Sequence, residues 1–163
     1  MREILELLER DARLTPETIA TMTGLSVDEV REAIEGWEKS GAIRRYKAVV
    51  DWDAVADDPT REKVTAFIDV SVAPARGTGF DDVARRIARF DEVQSVHLVS
   101  GTHDLRCMVV GPTIRAVSDF VSQKLSTIDR VQSTATHFVL RTYKRDGEVL
   151  GQPEADHRLP VTP

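Results

Sequence analysis

Along the first forty positions, apolar residues recur with the spacing of helices rather than strands. Ile4, Leu5, Leu7 and Leu8 form one stripe opposite Arg2, Glu3, Glu6 and Glu9, predicting a helix from Met1 to about Asp11. A second helix is expected from Pro16 to Thr23, burying Ile19, Ala20 and Met22. A third is expected from Val27 to about Ser40, with Val27, Val30, Ala33, Ile34 and Trp37 along one face. The punctuation agrees. Thr15 is placed to cap the second helix with Pro16 at its first turn, and Ser26-Val27-Asp28-Glu29 reads as a capping box. Gly41 stands where a C-terminal glycine ends a helix. Between the last two helices, small Ala20, turn-forming Gly24 and apolar Val30 have the spacing of a helix-turn-helix, a device that places its second helix in the DNA major groove.

Beyond Gly41 the period changes. Ala42 to Val50 mixes β-branched and aromatic residues with Arg44, Arg45 and Lys47, as a wing hairpin or strand does. Residues 51–63, with Asp57-Asp58-Pro59-Thr60, read as a hinge. Then follow an alternating strand at Val64–Val72, a loop at Pro74–Gly79 and a helix at Phe80–Phe90. A strand is expected at Val93–Val99, a tight turn at Gly101–Asp104 and a third strand at Leu105–Val110. Thr113 to about Ile128 reads as a helix, and Val131–Tyr143 as a long final strand. The order βαββαβ predicts a ferredoxin-like domain over 64–143, behind a winged helix-turn-helix over 1–50, giving an α+β protein. Residues 144–163 are expected to be a polar tail.

Composition narrows the function. With 41% hydrophobic and 30% charged residues, the 163-residue chain reads as an ordinary globular protein of one or two small domains. No apolar run approaches a membrane span, the N-terminal pattern is not that of a secretory signal, and the lone Cys107 offers no disulfide framework; a cytoplasmic location is expected. Net charge is −5, and residues 1–50 carry eight cations against ten acids, so DNA contact has to come from local placement of charge. Ser26, Val27, Asp28 and Arg31 at the start of the third helix, Lys39 at its end, and Arg44, Arg45 and Lys47 beyond it are the expected contacts. His97, His103 and His137 lack metal-ligand spacing, and neither a metal nor a cofactor is expected.

A winged helix-turn-helix followed by a ferredoxin-like domain, with Val99-Ser100-Gly101-Thr102-His103-Asp104 between its middle strands, resembles the Lrp/AsnC (leucine-responsive/asparagine-regulator) family. The likeness covers residues 1 to 143. His97-Leu98-Val99-Ser100-Gly101-x-x-Asp104 is its most specific part, supported by Ala42-Ile43-Arg44-Arg45-Tyr46. The resemblance implies a transcription regulator of amino-acid metabolism that dimerises through its sheet, assembles further into tetramers or octamers, and senses an amino-acid-like effector. By the same likeness, the effector site comprises Gly101, Thr102, His103, Asp104, Thr134 and Thr136. Chemically, Asp104 suits an α-ammonium group, and the Gly101–Thr102 backbone with a threonine hydroxyl suits an α-carboxylate. Two positions depart from the pattern: His103 stands where the family usually has an aromatic residue, and the third helix is acidic, with Asp28, Glu29, Glu32, Glu35 and Glu38.

Other readings of the same residues are bland. The alternative for the third helix is a solvated interaction module, leaving a metabolite-binding oligomer without DNA binding, and for Asp104 a turn residue bonded to local backbone. Siroheme decarboxylases resemble the same two-part architecture, but no nucleophile–base pair or cofactor loop stands in this chain, and no enzyme is expected.

Overall fold

The computed structural model describes residues 1–52, 54–55, 63–73 and 79–151. Asp57–Thr60 of the expected hinge, residues 74–78 of the expected loop, and Pro153, Pro160 and Pro163 of the expected tail lie outside them. The chain divides into two compact units after Val50.

The first unit holds helices α1 (Arg2–Arg10), α2 (Pro16–Thr23) and α3 (Val27–Ser40). Their boundaries follow the local signals. The Thr15 hydroxyl accepts from the Thr18 N–H, and Ser26 and Glu29 close a reciprocal capping box. Gly24 and Gly41 end α2 and α3 in the left-handed region at φ 73° and 75°. Ile4, Leu8, Ile19, Ala20 and Val30 form the core, with Ala33, Ile34, Trp37 and Ile43 packed against it. Met22, expected inside, is 55% exposed, because the two-turn α2 buries only the stripe through Ile19 and Ala20. The expected wing is not a ladder. Residues 42–50 follow α3 without regular secondary structure and with no strand partner among the described residues; the Ile43 N–H donates to the Trp37 carbonyl, and the Tyr46 hydroxyl to Glu38. β-branched residues form a strand only where another strand accepts their backbone bonds.

The second unit contains β1 (Val64–Val72), α4 (Asp81–Ile87), β2 (Val93–Leu98), β3 (Leu105–Gly111), α5 (Ile114–Phe120) and β4 (Val131–Phe138), with a π-helical turn, Val121–Leu125, continuing α5. The four antiparallel strands lie in the order β2-β3-β1-β4, the ferredoxin-like arrangement. Ala66, Ile68, Val70 and Val72 of β1 and Leu105, Cys107 and Val109 of β3 point to one face, where Val83, Ile87, Val117, Phe120, Leu125 and Ile128 complete the core. Alternation puts Phe67 and Asp69 on the opposite, open face. Ile114, expected on the apolar stripe, is 58% exposed at the first turn of α5.

The chain's end differs most from expectation. β4 stops at Phe138, not Tyr143, and within the expected polar tail Lys144–Arg145 (β5) pairs with Glu148–Val149 (β6). Asp146 and Gly147 make the two-residue turn, with φ 49° and 91°. Positive φ at both central residues is what an Asp-Gly turn supplies to match the twist of paired strands. The sequence signal was present, but its flanking strands are too short to show alternation.

Candidate functional site

Two groups of residues carry chemistry, one in each unit. In the first, α3 exposes Asp28, Arg31, Glu32, Glu35, Gly36, Glu38 and Lys39. Its cations are tied to acids: Arg31 to Glu17 of α2 at 2.5 Å and Lys39 to Glu35 at 3.2 Å. Ser26 spends its hydroxyl and amide on Glu29, and Val27 packs toward the core. The Glu29 carboxyl is held below its ordinary range by the Ser26 hydroxyl and then its amide, so the box stays charged near neutrality. Arg44, Arg45 and Lys47 are exposed beyond the helix, and the Arg44 guanidinium lies over Gly41, 3.2 Å from where a β-carbon would stand. The eight expected contacts are thus split. Asp28, Arg44, Arg45 and Lys47 are exposed, Arg31 and Lys39 are engaged in exposed ion pairs, and Ser26 and Val27 hold the helix together.

In the second unit, the β2–β3 connection runs from Val99 to Asp104, longer than the expected tight turn. Gly101 (φ 132°) and Thr102 are exposed at its tip, and His103 and Asp104 are half-buried at its base. Asp104 fixes the loop: its Oδ2 accepts from the Val72 N–H at 2.8 Å, its N–H donates to the Val70 carbonyl, and its carbonyl accepts from the Val99 N–H. His103 Nδ1 pairs with the Ser71 hydroxyl at 3.1 Å. The structure therefore brings His103 and Asp104 together with Ser71 and Val72 at the end of β1. Thr134 and Thr136 stand on the other side of that strand, in register with Val70 and Ile68, one strand-width from the loop.

Sequence reading missed a third cluster, in the middle of the open face. Asp69 is only 4% exposed, and Arg106 of β3 covers it with two bonds, Nε to Oδ1 at 2.6 Å and an η-nitrogen to Oδ2 at 2.8 Å. His137 Nε2 of β4 lies 3.5 Å from Oδ2. The Arg106 hydrogen bonds hold the Asp69 carboxyl below its ordinary range against the opposing effect of burial. A charged residue inside an otherwise uncharged strand was the available signal. Its partners, 37 and 68 positions away, become visible only once the strand order is known.

Among the described residues, no group of three or more His, Cys, Asp or Glu is arranged to hold a metal ion, and no helix is long and apolar enough to cross a membrane. Comparison with known proteins is specific. Residues 65–149 match the model of the Lrp/AsnC ligand binding domain. The HTH-type transcriptional regulator YugG of Bacillus subtilis is 49% identical over 161 residues, covering 99% of this chain and 95% of its own. The feast or famine regulatory protein of Mycobacterium tuberculosis, solved with L-methionine, is 27% identical at a TM-score of 0.66, covering 92% of this chain and 96% of that one. A Neisseria meningitidis transcriptional regulator, solved as an L-methionine complex, is 27% identical at a TM-score of 0.65, covering 87% and 88%. With kinship running through both units and the ferredoxin-like sheet in place, the chain belongs to the Lrp/AsnC family.

Proposed function

We propose that this protein is a cytoplasmic, sequence-specific DNA-binding regulator of transcription whose activity responds to an amino-acid-like effector. The first unit reads the DNA, and the second binds the effector and assembles the protein. The observation that carries the DNA reading is the α2–Gly24–α3 turn, which holds a capped helix with an exposed face beside three exposed cations. Asp28, Glu29, Glu32, Glu35 and Glu38 repel phosphate along α3, so Arg44, Arg45 and Lys47 take the backbone contacts. Arg31 and Lys39 join them by exchanging their exposed acid partners for phosphate, at little loss since such pairs contribute weakly. Ser26, Val27 and Asp28 form the helix end that approaches the groove. Linked headpieces in an oligomer compensate for a small number of contacts per copy.

The effector reading rests on the Gly101–Asp104 loop. Its tip offers exposed backbone N–H groups at Gly101 and Thr102, and the second oxygen of Asp104 faces an ammonium group while Oδ2 holds Val72. Thr134 and Thr136 belong to the same site through the contribution of a neighbouring copy. Two relatives were solved with L-methionine, which makes that amino acid the first to test. The open face of the sheet, with Phe67 40% exposed beside Met108, Val110 and Ala135, is the surface on which a second copy packs, giving a homodimer and even-numbered assemblies above it. Calorimetry with the twenty amino acids on wild type and Asp104→Asn tests the site. The expected result is heat with one or a few of them and at least tenfold weaker binding in the variant. Equal affinities would place the site elsewhere, and silence with every amino acid would contradict the effector reading.

A further inference from the structure

The open face of the sheet carries a charge pattern that neither the DNA contacts nor the effector loop uses. Across it, His97 of β2 is in register with Arg106 of β3, and Arg106 with Asp69 of β1. His137 of β4 closes on Asp69 from the far side at 3.5 Å. His103, held by Ser71 at the end of β1, also acts electrostatically on Asp69. One buried carboxylate thus has one permanent cation and two histidines, His103 and His137, acting on it, with His97 beyond Arg106 on the neighbouring strand. His97 and His137 are exposed, so water reaches both rings in the single copy, with Asp69 beside His137.

We propose that this face is a pH-gated self-association surface, closed between two copies while His97, His103 and His137 are neutral and opened when they are protonated. The proposal rests on the reading above that the open face meets a second copy. Near pH 7.5 the Arg106 and Asp69 charges cancel, and the remainder of the face includes Phe67, Met108, Val110 and Ala135, a neutral surface suited to burial. Protonation of the three imidazoles on acidification adds up to three cations per copy. Among the described residues, the carboxylates placed to meet them are Asp69, already bonded twice by Arg106, and Asp104 at the rim, whose Oδ2 is taken by Val72. A two-fold pairing sets each patch against its own copy, so like charge is driven against like in a medium of lower dielectric than water. Separated copies then bind more protons than paired ones, and by linkage the equilibrium moves toward separation as pH falls.

Sedimentation equilibrium of the full chain at pH 7.5, 6.5 and 5.5, with circular dichroism at each pH to follow the fold, tests this. The dimer dissociation constant of the wild type is expected to rise at least tenfold from pH 7.5 to 5.5, and 1 M salt at pH 5.5 to restore most of the association by screening the repulsion. His97→Gln/His137→Gln, two exchanges at exposed positions, should lose most of the pH dependence. An unchanged dissociation constant across the three pH values, no recovery in salt, or full pH dependence in the double variant would each overturn the gate and leave the surface reading standing. A wild-type monomer at micromolar concentration and pH 7.5 would overturn the surface reading and the gate with it.

Discussion

Single residues decide how far this chain tolerates change, and three of them make clear predictions. Gly36 lies exposed in the middle of α3 with open space where a β-carbon would stand. Gly36→Ala should therefore stabilise the first unit by about 0.5–1 kcal/mol, read as a higher urea midpoint, because it removes backbone freedom from the unfolded chain and breaks no contact. Cys107 is fully buried, its thiol donating to the Ile68 carbonyl and pushed up to about 11 by burial. It should label with a thiol-specific disulfide reagent only after urea unfolding; prompt labelling of the native protein would contradict the packing. Asp69 is a carboxyl whose folded pKa lies below its unfolded one, so the Arg106 pairing stabilises the fold fully above about pH 4 and is lost as pH falls through the depressed value. Between pH 5 and 2, Asp69→Asn should show a shallower fall in urea midpoint than wild type. These residues differ in legibility. The lone cysteine in an apolar strand could be read as a core residue from sequence, whereas Asp69 could not be given a partner until β1 was seen between β3 and β4.

Elements were legible where their signals are local. Thr15, Ser26, Gly24 and Gly41 act within a few residues of themselves, and α2 and α3 run within the limits these residues set. Ser26→Ala removes the side-chain half of the capping box and should lower stability by about 1 kcal/mol in urea titration; an unchanged midpoint would mean that tertiary packing alone holds the start of α3. Signals failed where a partner had to be supplied from elsewhere. Residues 42–50 have strand-forming composition but no ladder, and β4 ends at Phe138, with β-branched Val139 and apolar Leu140 beyond it. The Asp146-Gly147 hairpin erred the other way, being a local turn whose strands are only two residues long. Gly147→Val would force a β-branched residue to φ 91° and should speed hydrogen exchange of the Leu150 amide, which the Tyr143 carbonyl holds across the hairpin. In the candidate effector loop, sequence reading found Gly101 and Asp104 but not Val72 and Ser71, which enter through tertiary contact.

At the scale of the whole molecule, a chain of net charge −5 is read here as one that binds a polyanion. Under the proposed function, contact is concentrated in a few cations near Gly41 and multiplied by linking headpieces through assembly. Such binding should have a shallow salt dependence per headpiece, since each phosphate contact contributes a slope of only about −0.9. The central claim is that one unit reads DNA and the other reports an amino acid to it. Its most direct test is fluorescence anisotropy of a duplex enriched by the protein from a random-sequence pool, titrated with wild type and with Arg44→Ala/Arg45→Ala, with and without each amino acid at millimolar concentration. The account predicts a common sequence in the enriched pool, affinity at least tenfold weaker in the double variant, and a shift in wild-type affinity with the amino acid that gives heat in calorimetry. Recovery of no common sequence, or equal affinity of wild type and variant for the enriched duplex, would contradict it.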